Sequence, residues 1–415
     1  MDTDVLIIGG GLAGLACAKT LQDYGIAFLL LEASETAGGR IRTDQVDGFL
    51  LDRGFQVLST AYPEAGRMLD FPSLKLNHFF PGAVIRCQGE WHRMPDPFRH
   101  PFKGVQALFT PIGTLSDKFR VLSLRHRARS GTLNDLFQRP ETSTLQHLKN
   151  FGFSSSMIER FFRPFLGGVF LDPELKTSSR MAEFALRMFA SGNSSLPAEG
   201  MGAIPRQLVS QLPAARIRTQ ARVVSIQKTA VTLESGECLS ARAVVLATDG
   251  PSAKKLVPHL NPSPYRRVTC LYYAASEPPF PGPVLLLNGE GAGPINNLCV
   301  LTQIAPTYTT TNKQLISISV LHHADLSDED LVTQVCQQLQ EWFGSQTKDW
   351  QFIRAYTIKA AQPVQVPPFP NPFSSQTQLQ DGLFVCGDFC TTGTIDGALL
   401  SGRRAAEDLR KWLEA

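Results

Sequence analysis

The chain has 415 residues, of which 43% are hydrophobic and 19% are charged, and this composition excludes a disordered chain. Forty basic and 37 acidic residues leave a net charge of +3, which gives no support for nucleic acid as a partner. The length predicts two or three domains. No apolar run is long enough to span a bilayer and no secretory signal is expected, so the sequence predicts a soluble, cytoplasmic protein whose scattered cysteines stay reduced.

The first predicted element is a buried parallel strand, Val5–Ile8, followed by glycines at the GxGxxG spacing and an Ala/Leu-rich helix. Gly9 allows a tight turn, and Gly11 allows a pyrophosphate to approach the backbone. Gly14 allows the helix to pack closely on the strand. The helix amino end adds N–H groups and a positive dipole, so this segment predicts a dinucleotide-binding turn.

A second predicted strand, Phe28–Leu31, ends in Glu32. Its carboxylate can accept hydrogen bonds from both hydroxyls of an adenosine ribose and would repel a 2′-phosphate, so NAD and FAD stay open and NADP is disfavoured. The segment Glu35–Thr43 then brings two glycines and two arginines, among them Gly39 and Arg40. We interpret it as a second phosphate-facing turn, in which a guanidinium fork binds pyrophosphate oxygens.

These three stretches, G-G-G-L-A-G-L, L-E-A-S and G-G-R-I-R-T, resemble the flavin amine oxidase and phytoene desaturase superfamily, which includes protoporphyrinogen oxidases. The resemblance implies FAD bound in an extended conformation. It continues in Asp52–Gln56, similar to a D-x-G segment that passes close to the flavin. No cysteine occupies the position used for covalent attachment, so the FAD is expected to be non-covalent.

The carboxyl-terminal part carries the other half of the predicted cofactor site. Leu383–Val385 predicts a buried strand that leads into Gly387 and Asp388, and a final helix opens at Thr394. Asp388 can hydrogen-bond a ribityl hydroxyl, and the helix amino end can stabilise negative charge on a reduced flavin. The predicted cofactor-binding residues are Gly9, Gly11, Leu12, Ala13, Gly14, Glu32, Ala33, Gly39, Arg40, Gly54, Phe55, Gln56, Val223, Gly387, Asp388, Ile395 and Ala398.

The predicted fold class is α/β, with a discontinuous Rossmann-like FAD-binding domain and an inserted α+β substrate domain. The FAD-binding domain comprises 1–75, 200–258 and 375–415, and the substrate domain comprises 76–199 and 259–374. The central part of the FAD-binding domain includes a small antiparallel unit, 221–233, closed by Ser235–Gly236. The first insertion starts with a hairpin at Ala83–His92 and a proline-rich loop, Pro95–Pro97 and Pro101, and then becomes mostly helical. The second has β-rich runs at Val268–Ala274, Val284–Leu287 and Leu315–Leu321, and a helix capped by Ser327.

The substrate is expected to be a small hydrophobic molecule. The aromatic, glycine-broken segment Met157–Phe170 either lines a lipophilic cavity, packs between domains, or contacts a membrane surface, and peripheral membrane association therefore stays open. A basic cluster on the preceding predicted helix can meet an anionic group or form a solvated helix face; it consists of Arg120, Arg125, His126, Arg127 and Arg129. The histidines show no metal spacing, so no metal site is predicted.

Amine oxidation is disfavoured by two departures from the amine oxidases. Their strand K-V-x-L-x-F corresponds to Arg267–Tyr272 here, with arginine in place of the lysine that holds a water at flavin N5, and Thr394 stands where they place an aromatic wall. No general base is nominated. By family position alone, Arg267, Lys359 and Gln56 are the candidates to face the flavin ring.

The sequence favours an FAD-dependent oxidoreductase that dehydrogenates a hydrophobic substrate at a C–C or C–N bond by hydride transfer to flavin N5. The alternatives are an FAD-dependent isomerase of a polyene-type substrate, a flavin amine oxidase, and a non-enzymatic prenyl-binding regulator like the GDP dissociation inhibitors. The oligomeric state stays open.

Overall fold

The computed structural model describes residues 3–99, 110–321, 327–374 and 376–415, without the side chain of Asp328. The strands are β1 (Val5–Ile8), β2 (Phe28–Leu31), β3 (Thr43–Val46), β4 (Phe49–Asp52), β5 (Leu58–Ser59), β6 (Asn77–His78), β7 (Gly82–Cys87), β8 (Glu90–Pro95), β9 (Ser194–Leu196), β10 (Ile217–Arg218), β11 (Val223–Gln227), β12 (Ala230–Leu233), β13 (Cys238–Ser240), β14 (Ala243–Leu246), β15 (Tyr265–Ala275), β16 (Leu285–Asn288), β17 (Ile295–Val300), β18 (Gln314–Leu321), β19 (Gln351–Pro363), β20 (Gln378–Gln380) and β21 (Leu383–Val385). The helices are α1 (Leu12–Asp23), α2 (Pro63–Met68), α3 (Phe71–Leu74), α4 (Leu115–Arg129), α5 (Leu133–Gln138), α6 (Thr144–Asn150), α7 (Ser155–Met157), α8 (Arg163–Phe170), α9 (Ser179–Ser191), α10 (Ala203–Ser210), α11 (Gly250–Leu256), α12 (Leu301–Ile304), α13 (Asp328–Phe343) and α14 (Ile395–Glu414). The fold is mixed α/β, as the sequence predicts.

A six-stranded sheet in the order β10–β2–β1–β14–β21–β20 forms one layer. Its strands pair in parallel except β20, which is antiparallel to β21. All residues of β1 and β14 are buried, as expected for apolar runs in a parallel sheet covered on both faces. The six strands come in pairs from 1–75, 200–258 and 375–415, so distant stretches of chain meet in one sheet.

Helices α1 and α14 pack together against this sheet, and their crossing depends on a glycine. A Cβ atom at Gly402 would lie 2.0 Å from the carbonyl oxygen of Ala13, so no other residue fits between the two backbones. Thr394 caps α14, since its Oγ1 accepts a hydrogen bond of 3.0 Å from the Gly397 N–H. The crossing fixes the amino end of α14 close to the turn that follows β1.

A seven-stranded sheet in the order β19–β15–β18–β17–β16–β7–β8 forms the second layer. The predicted β-rich runs and the hairpin at Ala83–His92 are found here as β15, β16, β18 and the β7–β8 pair. Along β15, Leu271 and Tyr273 share a core with α13, whereas Cys270 and Tyr272 share the core of α1 and α14. The sequence reading missed β19, because this edge strand is mostly half-buried or exposed and lacks an apolar run.

Helices α4 to α9 enclose a third core, rich in phenylalanine, and one π-helical turn, Ile158–Phe162, joins α7 to α8. Ser327 caps α13 as predicted, accepting a hydrogen bond of 3.1 Å from the Asp330 N–H. Pro95 ends β8 and a turn follows, whereas Pro101 lies outside the described residues. The predicted antiparallel unit at 221–233 is found as the pair β11 and β12, and the turn at Ser235–Gly236 leads from β12 to a third strand, β13.

Candidate functional site

A cavity of about 1120 Å³ is lined by two different regions of the protein. The part that we call the cofactor end is lined by turns after β1 and β2 and by the start of α14, with Gly11, Glu32, Arg40, Asp388 and Ala398. The part that we call the aromatic end is lined mainly by α8, α9 and the turn before them, with Phe161, Phe165, Phe170, Phe184 and Phe189. One continuous space therefore connects a polar region with an apolar one.

The glycines at the cofactor end are required by close backbone approaches. Gly9 has φ +109°, and a Cβ there would lie 2.6 Å from the Ala247 carbonyl oxygen. A Cβ at Gly14 would lie 1.9 Å from the Gly9 carbonyl oxygen, so α1 packs on the turn as expected. Gly39 has φ +61° and a Cβ there would lie 3.0 Å from the Cα of Gly11. The two predicted phosphate-facing turns thus pack against each other, with exposed backbone rather than side chains at their meeting point.

Glu32 lies at the carboxyl end of β2 and is 9% exposed. Its Oε2 accepts a hydrogen bond of 2.7 Å from the Gly10 N–H, and its Oε1 accepts bonds from the N–H and the hydroxyl of Ser34. An ionised carboxylate has about four acceptor sites, so one site remains beyond these three bonds. Glu32 therefore shapes the turn after β1 and keeps the capacity to accept a ribose hydroxyl.

Arg40 and Asp388 form an ion pair where the second turn faces the carboxyl-terminal strand. Arg40 Nη1 donates to Asp388 Oδ2 at 2.8 Å and to the Ala361 carbonyl oxygen at 2.9 Å. Tyr265 donates to Asp388 Oδ1 at 3.1 Å, and the Arg40 guanidinium lies 5.6 Å from the centre of the Tyr265 ring. Burial, together with the Asp388 charge, raises the pKa of Tyr265, so its hydroxyl stays a donor. Sequence reasoning missed Tyr265, because no local pattern marks it.

Asp52 begins the D-x-G segment but does not itself line the cavity. It is buried, and its carboxylate accepts hydrogen bonds from the Tyr308 hydroxyl at 2.8 Å and the Met201 N–H at 2.9 Å. Burial raises its pKa to about 6. Asp52 anchors the segment from which Gly54, Phe55 and Gln56 reach the cavity, and Tyr308 is a second residue that the sequence did not reveal.

Every predicted cofactor-binding residue except Gly14 lines the cavity, and Gly14 lies behind the turn that does. Among the three candidates to face the flavin ring, Gln56 lines the cavity, whereas Arg267 and Lys359 do not. Their strand neighbours Val268 and Ile358 occupy the wall instead, because adjacent residues of a strand point to opposite faces. Lys359 is exposed, and Arg267 lies at a bulge in the pairing of β15 with β19.

Several side chains of the cavity wall keep a buried polar atom that has no partner among the described residues. These atoms are Arg42 Nε, Gln56 Oε1, Arg125 Nε and Gln362 Oε1. Buried polar groups are normally hydrogen-bonded, so these atoms point to partners supplied by a bound molecule. Together with the open backbone between Gly11 and Gly39 and the free acceptor site of Glu32, they fit a dinucleotide such as FAD at the cofactor end.

The aromatic segment predicted at Met157–Phe170 contributes much of the aromatic end, so the lipophilic-cavity interpretation fits its position. Phe161 stacks on Phe165, with ring centres 5.3 Å apart, and Phe165 contacts Phe189 of α9 at 5.1 Å. The basic cluster on α4 is divided. Arg125 lines the cavity, Arg127 pairs with Glu183 at 2.7 Å, and Arg129 is exposed.

Two further kinds of site, a metal centre and a membrane-spanning helix, are not found in the described ranges. No group of three or more histidine, cysteine, aspartate or glutamate side chains there is placed to hold a metal ion. Among the helices of the same described ranges, none has the length and apolar character needed to cross a membrane.

Comparison with known proteins identifies the family. The sequence model of the family described as "Flavin containing amine oxidoreductase" matches residues 12–410. Curated relatives include protoporphyrinogen oxidase 2 of Arabidopsis thaliana, 25% identical over 166 residues, and a 15-cis-phytoene desaturase of an Oncidium hybrid cultivar, 35% identical over 115 residues. These matches cover 40% and 25% of this chain and only 32% and 19% of the relatives' own lengths.

Solved structures with the same fold cover almost all of this chain. An oxidoreductase from Methanosarcina mazei superimposes with a TM-score of 0.76 and 18% identity, covering 98% of this chain and 100% of the other. Cyclohexylamine oxidase from Brevibacterium oxydans gives a TM-score of 0.74 and 19% identity, with 100% of both chains covered. The family match over residues 12–410 shows that the chain belongs to the family of flavin-containing amine oxidoreductases, as an enzyme with FAD as its cofactor.

Proposed function

We propose that this enzyme dehydrogenates a small hydrophobic molecule at a C–C or C–N bond, with hydride transfer to flavin N5. The observation that supports this proposal is the continuous cavity, in which the aromatic end opens directly onto the cofactor end. Bound FAD supplies a two-electron acceptor. The aromatic walls exclude water from the substrate and orient it. Gln56 and Gln362 line the same cavity, and the amide oxygen of each has no partner among the described residues.

In this proposal the cofactor is held without a covalent bond, in a discontinuous domain formed by 1–75, 200–258 and 375–415. No cysteine or histidine is found among the described residues that line the cavity, so the wall there offers no side chain of the usual kinds for flavin attachment. The ion pair between Arg40 and Asp388 and the acceptor site of Glu32 would instead hold the two halves of FAD.

Two alternatives differ from this proposal in a measurable way. An isomerase of a polyene-type substrate would use the same cavity without net electron transfer. An amine oxidase would need a cation-binding wall beside α14, where Thr394 lines the cavity in place of an aromatic ring. Peripheral membrane contact at the aromatic end is part of the proposal only as a route of entry for an apolar substrate.

The decisive experiment mixes the flavin-loaded protein, under anaerobic conditions, with polyenes, porphyrinogens and amines. Loss of the flavin absorbance with a hydrophobic polyene or porphyrinogen, and recovery on admission of an electron acceptor, supports dehydrogenation. Bleaching by amines alone supports amine oxidation. Conversion of a polyene without bleaching supports isomerisation, and a purified protein that does not retain added FAD overturns the proposal.

A further inference from the structure

The aromatic end of the cavity contains a charged group that a purely hydrophobic substrate would not need. Asp96, Arg99 and Arg125 line the wall beside Phe98, Phe165 and Phe189. All three charged side chains are largely buried, since the side chains of Asp96, Arg99 and Arg125 are 14%, 24% and 16% exposed. Charged groups in an apolar wall are costly unless they are paired, so this group calls for a physical explanation.

The three side chains are held in place by each other and by the carboxyl end of α9. Arg125 Nη1 donates to Asp96 Oδ2 at 2.7 Å, and Arg125 Nη2 donates to the carbonyl oxygen of Ala190 at 3.0 Å. Arg99 Nη1 donates to Asn193 Oδ1 at 2.6 Å, and its Nε lies 3.8 Å from Asp96 Oδ2. The Arg125 guanidinium also lies over the ring of Phe98, 4.3 Å from the ring centre. The group is therefore pre-organised.

The charges of this group do not balance among the described residues. Two guanidinium groups face a single carboxylate, which leaves an excess of one positive charge in an apolar wall. One of the Asp96 oxygens is already engaged by the Phe98 N–H at 2.9 Å. Most of the N–H donors of Arg99 are engaged as well, since its Nη2 donates to the carbonyl oxygens of Phe189 and Gly192 at the carboxyl end of α9. A bound anion would compensate the excess positive charge.

We propose that Arg99 and Arg125 bind a carboxylate at one end of an elongated apolar substrate. The substrate class is thus an amphipathic acid whose apolar chain extends along Phe165 and Phe189 towards the cofactor end. Fork-shaped guanidinium groups suit carboxylates, and the apolar surroundings strengthen the attraction. The same excess charge repels an amine, so the group selects against cationic substrates. This inference rests on the proposed function, because it assigns the substrate of the same cavity.

The test uses the flavin-loaded protein with two fluorescent probes, cis-parinaric acid and its methyl ester, which share one polyene chain and differ in the anionic end. We expect the acid to bind at least about tenfold more tightly than the ester, a difference of about 1.4 kcal/mol. Arg125→Gln should remove this preference and leave ester binding unchanged. Asp96→Asn, which increases the excess charge, should tighten acid binding. Arg129→Gln, the same charge change at an exposed position on α4, is the matched control.

Flavin content and the far-ultraviolet circular dichroism of each variant verify that it is folded. Equal affinity of the wild type for acid and ester overturns the carboxylate site and leaves the proposed function intact. An equal loss for both probes in Arg125→Gln, or weaker acid binding in Asp96→Asn, also overturns it. Failure of the flavin-loaded protein to bind either probe overturns the carboxylate site together with the proposed hydrophobic substrate.

Discussion

The two ends of the cavity are built on different principles. At the cofactor end many of the determinants are backbone positions that lie close together in sequence, such as Gly9 and Gly14 around one turn. At the aromatic end they are side chains from separate elements, such as Asp96 after β8, Arg125 on α4 and Phe189 on α9. The first kind leaves a motif in the sequence and the second does not. A cofactor-binding site can therefore be predicted from a short segment of sequence, whereas a substrate-binding site becomes recognisable only in the folded structure.

The largest effect at the cofactor end is expected for Gly14→Ala. The added Cβ would lie 1.9 Å from the Gly9 carbonyl oxygen, so α1 must move away from the turn after β1. We expect the free energy of unfolding to fall by roughly 3 kcal/mol or more and FAD to be lost. Thermal unfolding and flavin absorbance measure both effects. Gly66→Ala is the control, because Gly66 lies in α2 with no atom near the added Cβ, and it should be neutral or slightly stabilising. A Gly14→Ala protein as stable as the wild type would contradict the close approach.

A second test concerns a buried acid beneath the cofactor end. Asp396 is 5% exposed, and burial raises its pKa to about 7. The unfolded chain ionises it near pH 4, so the folded state binds more protons between about pH 4 and pH 7 and stability falls as the pH rises through this range. Asp396→Asn keeps an oxygen for the N–H groups of Glu64 and Ala65, both of which donate to the same Oδ1.

We therefore expect the stability of Asp396→Asn relative to the wild type to be greater at pH 8 than at pH 5, by on the order of 3 kcal/mol. Urea unfolding at the two pH values measures the difference between the proteins, and the other titrating groups contribute equally to both. A constant difference at the two pH values would show that Asp396 is ionised in the folded protein at both.

Glu32→Gln tests a side chain of the cofactor end, whereas Gly14→Ala tests the backbone there. The side-chain NH2 group of glutamine would face either the Gly10 N–H or the Ser34 N–H, so that two hydrogen-bond donors would point at each other. We expect FAD binding to weaken by roughly 1–3 kcal/mol. Quenching of FAD fluorescence on titration with apoprotein measures this change. Glu35→Gln removes the same charge at an exposed position of the same loop and should leave the affinity unchanged. Equal affinities for all three proteins would remove Glu32 from the cofactor site.

The sequence predicts the family, the α/β class and the buried strands, because these depend on short apolar runs and on glycine spacing. The family and the FAD cofactor are confirmed by the match over residues 12–410. The position of Tyr265 against Asp388 could not be predicted, because the two residues are 123 positions apart and neither lies in a motif that includes the other. The pairing of Arg125 with Asp96 could not be predicted for the same reason, and the sequence of the basic cluster favoured a solvated helix face over a site for an anionic group.

The smallest effect is expected for a substitution of Arg267, the residue that stands in place of the lysine of the amine oxidases. Its strand neighbour Val268 lines the cavity, and Arg267 itself does not. A guanidinium stays protonated at all useful pH values, so Arg267 can influence the flavin only through its charge. Because it lies on the other side of the strand from the cavity, we expect Arg267→Met to leave the flavin midpoint potential and FAD affinity unchanged. Gln56→Leu, at a position that lines the cavity, should shift the potential. Potentiometric titration of the wild type and the two variants measures both effects. A lowered midpoint potential in Arg267→Met alone would place the Arg267 charge beside the flavin and contradict the strand orientation.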